Sequence, residues 1–266
     1  MKLKPIAALF FALLTLQTVK AQINDDENQV KLDLDNISFL ATYDTTNFCS
    51  DFTVSSKDNG IIHREECIER ITSITAEDLN ADGNKEILIE TYTGGAHCCT
   101  SLYIASIKHN IFKYTDTVYW GNCGFEVKDL NNDGKKEIIG CNDMFAYYFT
   151  NFAESRFPMI IYGFKKNSLI VVNKNFKALI HKEINELKAE LKDYLKKGFD
   201  CPKKADGKYE VFNTDAGSVQ AILGAIVANY QSIGETDEAF DYVGEVYKCP
   251  DKANFIKILK NDFKLK

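Results

Sequence analysis

The feature that most constrains the fold is a nine-residue pattern of acidic, amide and glycine residues that occurs twice in the chain. The first copy spans residues 78–86 with the sequence DLNADGNKE, and the second spans residues 129–137 with the sequence DLNNDGKKE. Oxygen-bearing side chains occupy positions 1, 3, 5 and 9 of both copies, and Gly occupies position 6, where a tight loop has to turn. A hard divalent cation such as Ca²⁺ takes roughly six to eight oxygen ligands from loops of this kind.

Each copy therefore predicts one Ca²⁺ site, and the two sites share one ligand arrangement. The predicted side-chain ligands are Asp78, Asn80, Asp82 and Glu86 in the first loop and Asp129, Asn131, Asp133 and Glu137 in the second. At position 7, Asn84 and Lys135 are predicted to add a backbone carbonyl oxygen. The alternative is a pair of ordinary Asp-Gly hairpin turns. That alternative does not explain why both copies carry acids at positions 1 and 9.

Strand-forming residues flank both loops. An apolar run follows each loop, at residues 87–89 and at residues 138–139, and β-branched residues precede them. A helix-flanked EF-hand loop needs a bidentate Glu at position 12, where this chain has Ile89 and Gly140. The sequence therefore argues against an EF-hand and predicts metal loops at the tips of β-hairpins.

The loops and their following strands resemble the calcium loops of FG-GAP and VCBS repeats, the blade units of integrin-type β-propellers. The resemblance implies a β-domain over residues 30–172, in which Ca²⁺ rigidifies loops and the surfaces that they hold recognise partners. The two loops start 51 residues apart, which is close to the length of one blade. About 145 residues supply only about three blades, so a truncated, open or otherwise closed β-domain is as well supported as a complete propeller.

The chain begins with a basic head and an apolar run from Ile6 to Leu16, which is typical of a secretory signal peptide. Cleavage before Gln22 is predicted, so residues 1–21 form the signal peptide. No Cys lies at that point and no second long apolar run follows. We therefore expect a secreted or periplasmic protein without a transmembrane segment in its mature part.

The remaining chain predicts an α+β protein with the β part first. Residues 22–173 have an antiparallel β pattern, with a last hairpin that turns through residues 165–168. Residues 174–266 have helical periodicity, with one long helix ending near Gly198 and shorter helices over 218–232, 236–247 and from 251 onward. The helix pair around Gly234 loosely resembles a tetratricopeptide hairpin.

All eight cysteines lie in the predicted mature part, and an even number in an exported chain predicts disulfides. Cys123 and Cys141 are nearly symmetric about the second loop, which predicts a bond between them. Cys201 and Cys249, each followed by Pro, remain as a pair for the helical part.

The other four cysteines leave alternatives open. Cys67 is symmetric with Cys49 about the turn at residues 57–60, and it is also symmetric with Cys98 about the first loop. Cys49 therefore competes with Cys98 or Cys99 for Cys67. Because neighbouring side chains on a regular strand face opposite sides, Cys98 and Cys99 are expected to join different partners.

Other motifs give little support for catalysis. His97 beside Cys98 and Cys99 could form a redox or transition-metal site, but a structural role is favoured because disulfides consume the thiols. The chain lacks the His-Glu-x-x-His, Gly-x-Ser-x-Gly, phosphate-loop and dinucleotide-binding patterns. Its net charge of −6 argues against nucleic acid as a partner. The aromatic residues between Tyr114 and Phe157 are assigned mainly to the core.

These observations predict an exported, disulfide-stabilised calcium-binding protein that acts as a non-catalytic interaction module. The expected partner is a protein or a glycan, and Ca²⁺ is the only cofactor predicted. The alternatives are an extracellular or periplasmic hydrolase and an inhibitor or immunity protein, neither of which has a motif of its own in the sequence.

Overall fold

The structure is a computed structural model that describes residues 19–20, 22–23, 28–95 and 98–266. Antiparallel sheets come first and four helices follow, so the predicted α+β class with β before α is confirmed. Most of the predicted signal peptide, residues 1–18 and residue 21, lies outside the described residues, and so does His97.

Three sheets follow one another along the chain. A short strand β1 (Val19–Lys20) belongs to the second sheet. The first sheet consists of β2 (Gln22–Ile23), β3 (Gln29–Leu34), β4 (Ile37–Asp44), β5 (Cys49–Ser56) and β6 (Gly60–Ile68). The second adds β7 (Arg70–Glu77), β8 (Glu86–Tyr92), β9 (Thr100–Lys108) and β10 (Ile111–Gly121) to β1. The third consists of β11 (Glu126–Lys128), β12 (Glu137–Cys141), β13 (Met159–Lys165) and β14 (Ser168–Val171).

Each sheet is thus built around an antiparallel meander in which consecutive strands are hydrogen-bonded neighbours, with five strands (β2 to β6) in the first sheet and four in each of the others (β7 to β10 and β11 to β14). The predicted hairpin at residues 165–168 is present, with Lys165 opposite Ser168. Two 3₁₀ turns, at Asp143–Phe145 and Phe152–Glu154, lie in the connection between β12 and β13, and a third, at Asn173–Phe176, leads from β14 to the helices.

The sheets pack face to face, with the second in the middle. Ile87 and Ile89 of β8 pack with Phe39 and Phe52 of the first sheet. Leu88, between them in the chain, points to the opposite face and packs with residues of β10 and β12. Because residues of a strand alternate between faces, a strand covered on both sides reads as a continuous apolar run, as β8 does.

The helical part covers the outer face of the third sheet. Its helices are α1 (Lys177–Lys197), α2 (Asp215–Ser232), α3 (Thr236–Val246) and α4 (Lys252–Asn261). Ile161 of β13 joins the core formed by α1, α2 and α4, whereas its neighbour Tyr162 contacts the core between the second and third sheets. Helix α2 is buried on all sides, so it forms the centre of the helical part.

The helix boundaries agree closely with the sequence prediction. Helix α1 ends at Lys197, and its C-cap residue Gly198 has a φ of 78°, in the region that Gly adopts readily. Helix α2 begins at Asp215, three residues before the predicted start, and the side chain of Thr214 caps it by accepting a hydrogen bond from the Gly217 N–H. The sequence did not predict the small hairpin of β15 (Lys203–Ala205) and β16 (Lys208–Glu210) between α1 and α2. Among the described residues, no helix is both long enough and apolar enough to cross a membrane.

All eight cysteines are disulfide-bonded. Cys123 is joined to Cys141 and Cys201 to Cys249, which are the two pairs that the sequence predicts. Cys67 is joined to Cys49, the partner across the turn at residues 57–60. The expectation that Cys98 and Cys99 join different partners is wrong, because the two are bonded to each other. That expectation assumed a regular strand, and β9 begins only at Thr100.

Candidate calcium-binding loops

The two repeated loops occupy equivalent places in their sheets. The first connects β7 to β8 and the second connects β11 to β12, so each joins the first and second strands of a meander. The strand ladders close directly beneath the loops, where Glu77 pairs with Glu86 and Lys128 pairs with Glu137. Both position-9 glutamates therefore begin the strand that leaves the loop.

The backbone of both loops also turns in the same way. Gly83 and Gly134, at position 6, have φ values of 86° and 89°. Ala81 and Asn132, at position 4, have φ values of 59° and 60°. A positive φ is costly for a residue with a Cβ, and the same two positions carry it in each copy.

In the first loop, acidic and amide side chains fold back onto the backbone. The Asp78 carboxylate accepts hydrogen bonds from the Asp82 N–H at 3.1 Å and the Gly83 N–H at 2.9 Å. Asn80 Oδ1 accepts from the Asp82 N–H at 2.9 Å. Asp82 Oδ1 accepts from the Asn84 N–H at 2.8 Å. The loop is thereby wrapped around its own side-chain oxygens.

The second loop repeats these bonds one for one. The Asp129 carboxylate accepts from the Asp133 N–H at 3.2 Å and the Gly134 N–H at 2.9 Å. Asn131 Oδ1 accepts from the Asp133 N–H at 3.1 Å, and Asp133 Oδ1 accepts from the Lys135 N–H at 2.9 Å. Two copies of one sequence pattern therefore form two copies of one structure.

Each position-9 glutamate is hydrogen-bonded to the backbone at position 2 of its own loop. Glu86 Oε2 accepts from the Leu79 N–H at 3.1 Å, and Glu137 Oε2 accepts from the Leu130 N–H at 3.1 Å. Glu86 is 5% exposed and Glu137 is 7% exposed. Each carboxylate is thus buried and hydrogen-bonded to the second residue of its own loop.

The charges within each loop are unbalanced. Burial raises the pKa of the Glu86 carboxyl, and the charges of Asp82 and Asp78 raise it further. Burial likewise raises the pKa of Glu137, with added effects from Asp133 and Asp129. Ionised glutamates at these positions are unfavourable without a cation, and a bound divalent ion would offset their charge.

The exposed aspartates Asp82 and Asp133 have lowered pKa values, in contrast to the raised values of the buried glutamates. A hydrogen bond from the Asn84 N–H lowers the pKa of Asp82, and a hydrogen bond from the Lys135 N–H lowers that of Asp133. Both groups are therefore held in the charged form in which a carboxylate binds a cation. Their oxygens retain further lone pairs beside those used by the backbone.

The donor set of each loop fits a hard cation, because it consists of carboxylate, amide and carbonyl oxygens. Within the described parts of the chain, however, no three His, Cys, Asp or Glu side chains cluster tightly enough to define a metal site by themselves. The side-chain oxygens of the loops are turned toward backbone N–H groups, and an ion would have to draw them inward. Calcium binding is taken up below as a proposal.

The sequence did not reveal that the two loops lie against each other. The Lys136 N–H donates to the Leu79 carbonyl oxygen at 3.1 Å. The Lys136 ammonium group forms an ion pair with Glu77 at the end of β7. A Cβ added at Gly134 would meet the Ala81 Cβ at 3.8 Å. Face-to-face stacking of the second and third sheets brings together loops that are far apart in the chain.

The paired loops line a cleft of about 500 Å³. The β13–β14 hairpin and the start of the helical part contribute the rest of its lining. Loop residues in the cleft include Asn80, Asp82, Asn131, Asp133 and Lys135, and the other lining residues include Phe164, Lys165, Lys166, Ile170, Asn175 and Phe176.

The remaining sequence candidates lie away from this cleft. The Tyr119 hydroxyl contacts the Cys98–Cys99 disulfide, with its oxygen 2.6 Å from Cys99 Sγ. The aromatic residues are divided between core and surface: Trp120 and Phe149 are buried, whereas Tyr119 and Tyr147 are exposed. The sequence assigned these residues mainly to the core, and the exposed Tyr119 and Tyr147 are exceptions.

Comparison with known proteins identifies distant relatives. No protein-family model matches the chain, and no solved structure matches it. A probable thylakoid lumen protein of Synechocystis sp. is 26% identical over 165 residues, which are 60% of this chain and 43% of that protein. A protein of Sinorhizobium fredii described as uncharacterized is 24% identical over 162 residues, 61% of this chain and 23% of its own length. The chain spans less than half of either relative.

Proposed function

We propose that this chain is an exported, disulfide-stabilised calcium-binding protein that acts as a non-catalytic interaction module. The observation that carries the proposal is the one-for-one repetition of the loop hydrogen bonds, which involves the predicted ligands Asp78, Asn80 and Asp82 and their counterparts. An ordinary turn needs neither the ninth-position acid nor its burial. A calcium-binding loop can use that acid as an oxygen ligand.

Export is supported by two independent features. Four disulfides suit an oxidising compartment, where thiols are not kept reduced. The Synechocystis relative is named as a probable lumenal protein. The proposal extends to a relation with FG-GAP and VCBS repeats, supported by three successive antiparallel meanders, two of which carry the loop at the connection between their first and second strands.

The role of Ca²⁺ in this proposal is to fix the two loops and the cleft wall that they form. With the ion bound, the ligand oxygens would be drawn together. The positive charge of the ion would offset the energetic cost of burying the ionised carboxylates of Glu86 and Glu137. A partner, either a protein or a glycan, would then meet a rigid surface. Ordering before binding lowers the entropy cost of association.

The test is a calcium titration by calorimetry, combined with thermal unfolding in Ca²⁺ and in chelator. We expect two ions per chain and a higher unfolding midpoint with Ca²⁺. At a free concentration of about a hundred times the dissociation constant, each site should add about 2.7 kcal/mol. Mg²⁺ should substitute poorly, because it demands a stricter octahedral shell.

Matched variants separate a metal loop from an Asp-Gly turn. Asp82→Ala and Asp133→Ala should each remove one ion. Asp206→Ala is the control, because Asp206 precedes Gly207 in the turn between β15 and β16 and lies outside both loops. Equal unfolding midpoints in Ca²⁺ and chelator over a wide concentration range would refute the proposal.

A further inference from the structure

We propose that a cavity between the first and second sheets binds a short primary alkylammonium ion, with the ammonium group held at the mouth by Glu65 and Glu69 and the alkyl chain inside. The cavity has a volume of about 150 Å³ and shares no lining residue with the cleft beside the paired loops. Its lining comes from the end of β6, from Glu69 directly after β6, and from β8, β9 and β10. The inference goes beyond the proposed function and does not depend on calcium.

The inner part of the cavity is buried and mainly apolar. Ile89 is 1% exposed and Thr91 is 2% exposed, and both lie on β8. Tyr103 and Tyr114 add two aromatic rings, with centroids 5.6 Å apart and planes inclined by 58°. A cavity of about 150 Å³ holds a molecule about the size of benzene, so a four-carbon chain fits. Burying that chain against Ile89 and the rings removes apolar surface from water.

The mouth of the cavity is acidic. Glu69 is exposed and Glu65 is half-buried, whereas the residues of β8 are covered. Glu65 Oε2 accepts a hydrogen bond from the Tyr114 hydroxyl at 2.8 Å, and Glu69 Oε2 accepts one from the Thr91 hydroxyl at 2.8 Å. These bonds orient both carboxylates at the cavity. Each carboxylate has about four acceptor sites, so both retain capacity for an ammonium donor.

The two negative charges at the mouth lack a permanent cation. Among the residues that the structure describes, neither Glu65 nor Glu69 pairs with a Lys or Arg, and His63 Nε2, 3.4 Å from Glu65 Oε1, is charged only when protonated. Burial raises the pKa of Tyr103, and the charges of Glu69 and Glu65 raise it further, so both carboxylates act on one side of the cavity. In the same described part of the chain, no three acidic, His or Cys side chains form a metal cluster. An organic ammonium ion fits this combination of acids and rings, because it uses charge-assisted hydrogen bonds and contacts with aromatic faces together.

The order of these surfaces selects a free amine over a lysine side chain. A free alkylammonium ion enters chain first and leaves its charge at the mouth, beside the two carboxylates. A lysine of a partner protein would carry its ammonium group past the carboxylates to Ile89, where burying the charge is costly.

The experiment is an NMR titration of the isotope-labelled mature protein with n-butylamine at neutral pH in chelator, where the amine is protonated as Lys is. We expect the amide signals of Thr91, Tyr103 and Tyr114 to shift, with a dissociation constant of about 1 mM or tighter. n-Butanol has the same chain without the charge and should bind at least about tenfold more weakly. Methylamine keeps the charge but lacks most of the chain and should also bind at least about tenfold more weakly.

The carboxylates are tested by Glu65→Gln and Glu69→Gln. Gln keeps an acceptor for the Tyr114 or Thr91 hydroxyl and removes the charge, so each variant should keep the wild-type spectrum and bind n-butylamine about tenfold more weakly. The matched control is Glu66→Gln, because Glu66 is exposed, pairs with Arg64 and does not line the cavity. This control should bind like the wild type.

Unshifted signals of the lining residues at about 10 mM n-butylamine, ten times the largest dissociation constant expected, would overturn the inference. Equal affinity for n-butanol, or unchanged affinity in both Gln variants, would overturn the role of the carboxylates. Binding of acetyl-lysine methylamide as tight as that of n-butylamine would overturn the chain-first arrangement and identify a lysine side chain as the ligand. Because the titration is made in chelator, failure of the calcium proposal leaves this inference standing, and its own failure leaves the calcium proposal standing.

Discussion

At the scale of single residues, the ninth position of each loop is where the proposed cation site differs from an ordinary Asp-Gly turn. Glu86 and Glu137 are buried, and each is engaged by a backbone N–H of the second loop residue, Leu79 or Leu130. Burial of an ionised carboxylate is costly unless an opposite charge compensates it. A cation bound at each loop, as proposed, would supply that compensating charge.

We expect Glu86→Gln to behave oppositely with and without calcium. Gln keeps the acceptor for the Leu79 N–H but removes the charge. Because the pKa of Glu86 is raised in the folded state, its ionised form disfavours folding. In chelator at neutral pH, the variant should therefore be at least as stable as the wild type. In Ca²⁺ it should lose the gain of about 2.7 kcal/mol expected from one site.

Urea unfolding in the two buffers measures this difference, and Glu137→Gln provides the same comparison for the second loop. A variant that loses equal stability in Ca²⁺ and in chelator would assign Glu86 a purely structural role.

A second buried carboxyl, Asp251, should make the helical part sensitive to pH. Asp251 is 1% exposed, accepts from the Gln220 amide at 2.7 Å and from the Tyr247 hydroxyl at 3.1 Å, and burial raises its pKa. Its contribution to stability is full below the unfolded pKa and is lost as pH rises through the raised folded pKa. The free energy of unfolding should therefore fall over that window.

Asp251→Asn should remove this step. The stability difference between wild type and variant should change by about 1.4 kcal/mol for each unit by which burial raises the pKa. Unfolding measured at a series of pH values tests it, with the exposed turn variant Asp206→Asn as control. Parallel pH profiles for wild type and Asp251→Asn would contradict the prediction.

At the scale of elements, the sequence predicted the strands around the loops, the last hairpin and all four helices, because each has a strong local period or turn signal. It did not predict that the loops touch, since the contacts of Lys136 with Leu79 and Glu77 depend on sheet stacking. The bond between Cys98 and Cys99 was also missed. The prediction assumed that neighbouring side chains point to opposite faces, which holds on a regular strand, but both cysteines precede the start of β9 at Thr100.

The disulfide between Cys123 and Cys141 should support the second loop. It joins the chain before β11 to the end of β12 and so closes the segment that contains the loop. Replacing both cysteines by Ser should cost about 2–4 kcal/mol and weaken calcium binding at the second loop more than at the first.

The control is the matched double Ser variant of Cys201 and Cys249, in the helical part. It should lose similar stability and keep both calcium affinities. Unequal loss of calcium affinity in this control, or none in the first variant, would argue against a local effect of the Cys123–Cys141 bond.

Gly140 lies in β12 at the position where an EF-hand loop would have its last ligand, and the packing around it leaves no room for a side chain. A Cβ at Gly140 would overlap the ring of Trp120. Gly140→Ala should therefore destabilise the protein by about 1–3 kcal/mol through overpacking. Gly244→Ala in α3, where an added Cβ meets nothing within 4 Å, should be neutral or stabilising by up to about 1 kcal/mol. Urea unfolding of the two variants checks this contrast.

At the scale of the whole molecule, three sheets and a helical part form a stack in which each layer covers the next. The sequence indicated about three blade lengths, which supported a truncated, open or otherwise closed β-domain as well as a complete propeller, but it did not indicate what would cover the last sheet face. The structure places α1 and α2 there, and buried polar groups fix the junction. The Asn229 side chain accepts from the Met159 N–H at 3.0 Å, and Asn173 donates to the Met159 carbonyl and to Ser232. No local sequence pattern indicates that these helices pack on this face of the sheet.

Because the third sheet shares its outer core with the helices, we expect the β part and the helical part to unfold together. The single Trp of the chain, Trp120, is buried between the second and third sheets and reports on the β part by fluorescence. Circular dichroism at the helical band reports on α1 to α4. The two transitions should coincide, and Ca²⁺ bound at the loops should raise both midpoints equally. Separate transitions, with only the fluorescence midpoint rising in Ca²⁺, would show that the junction at Asn229 does not couple the two parts.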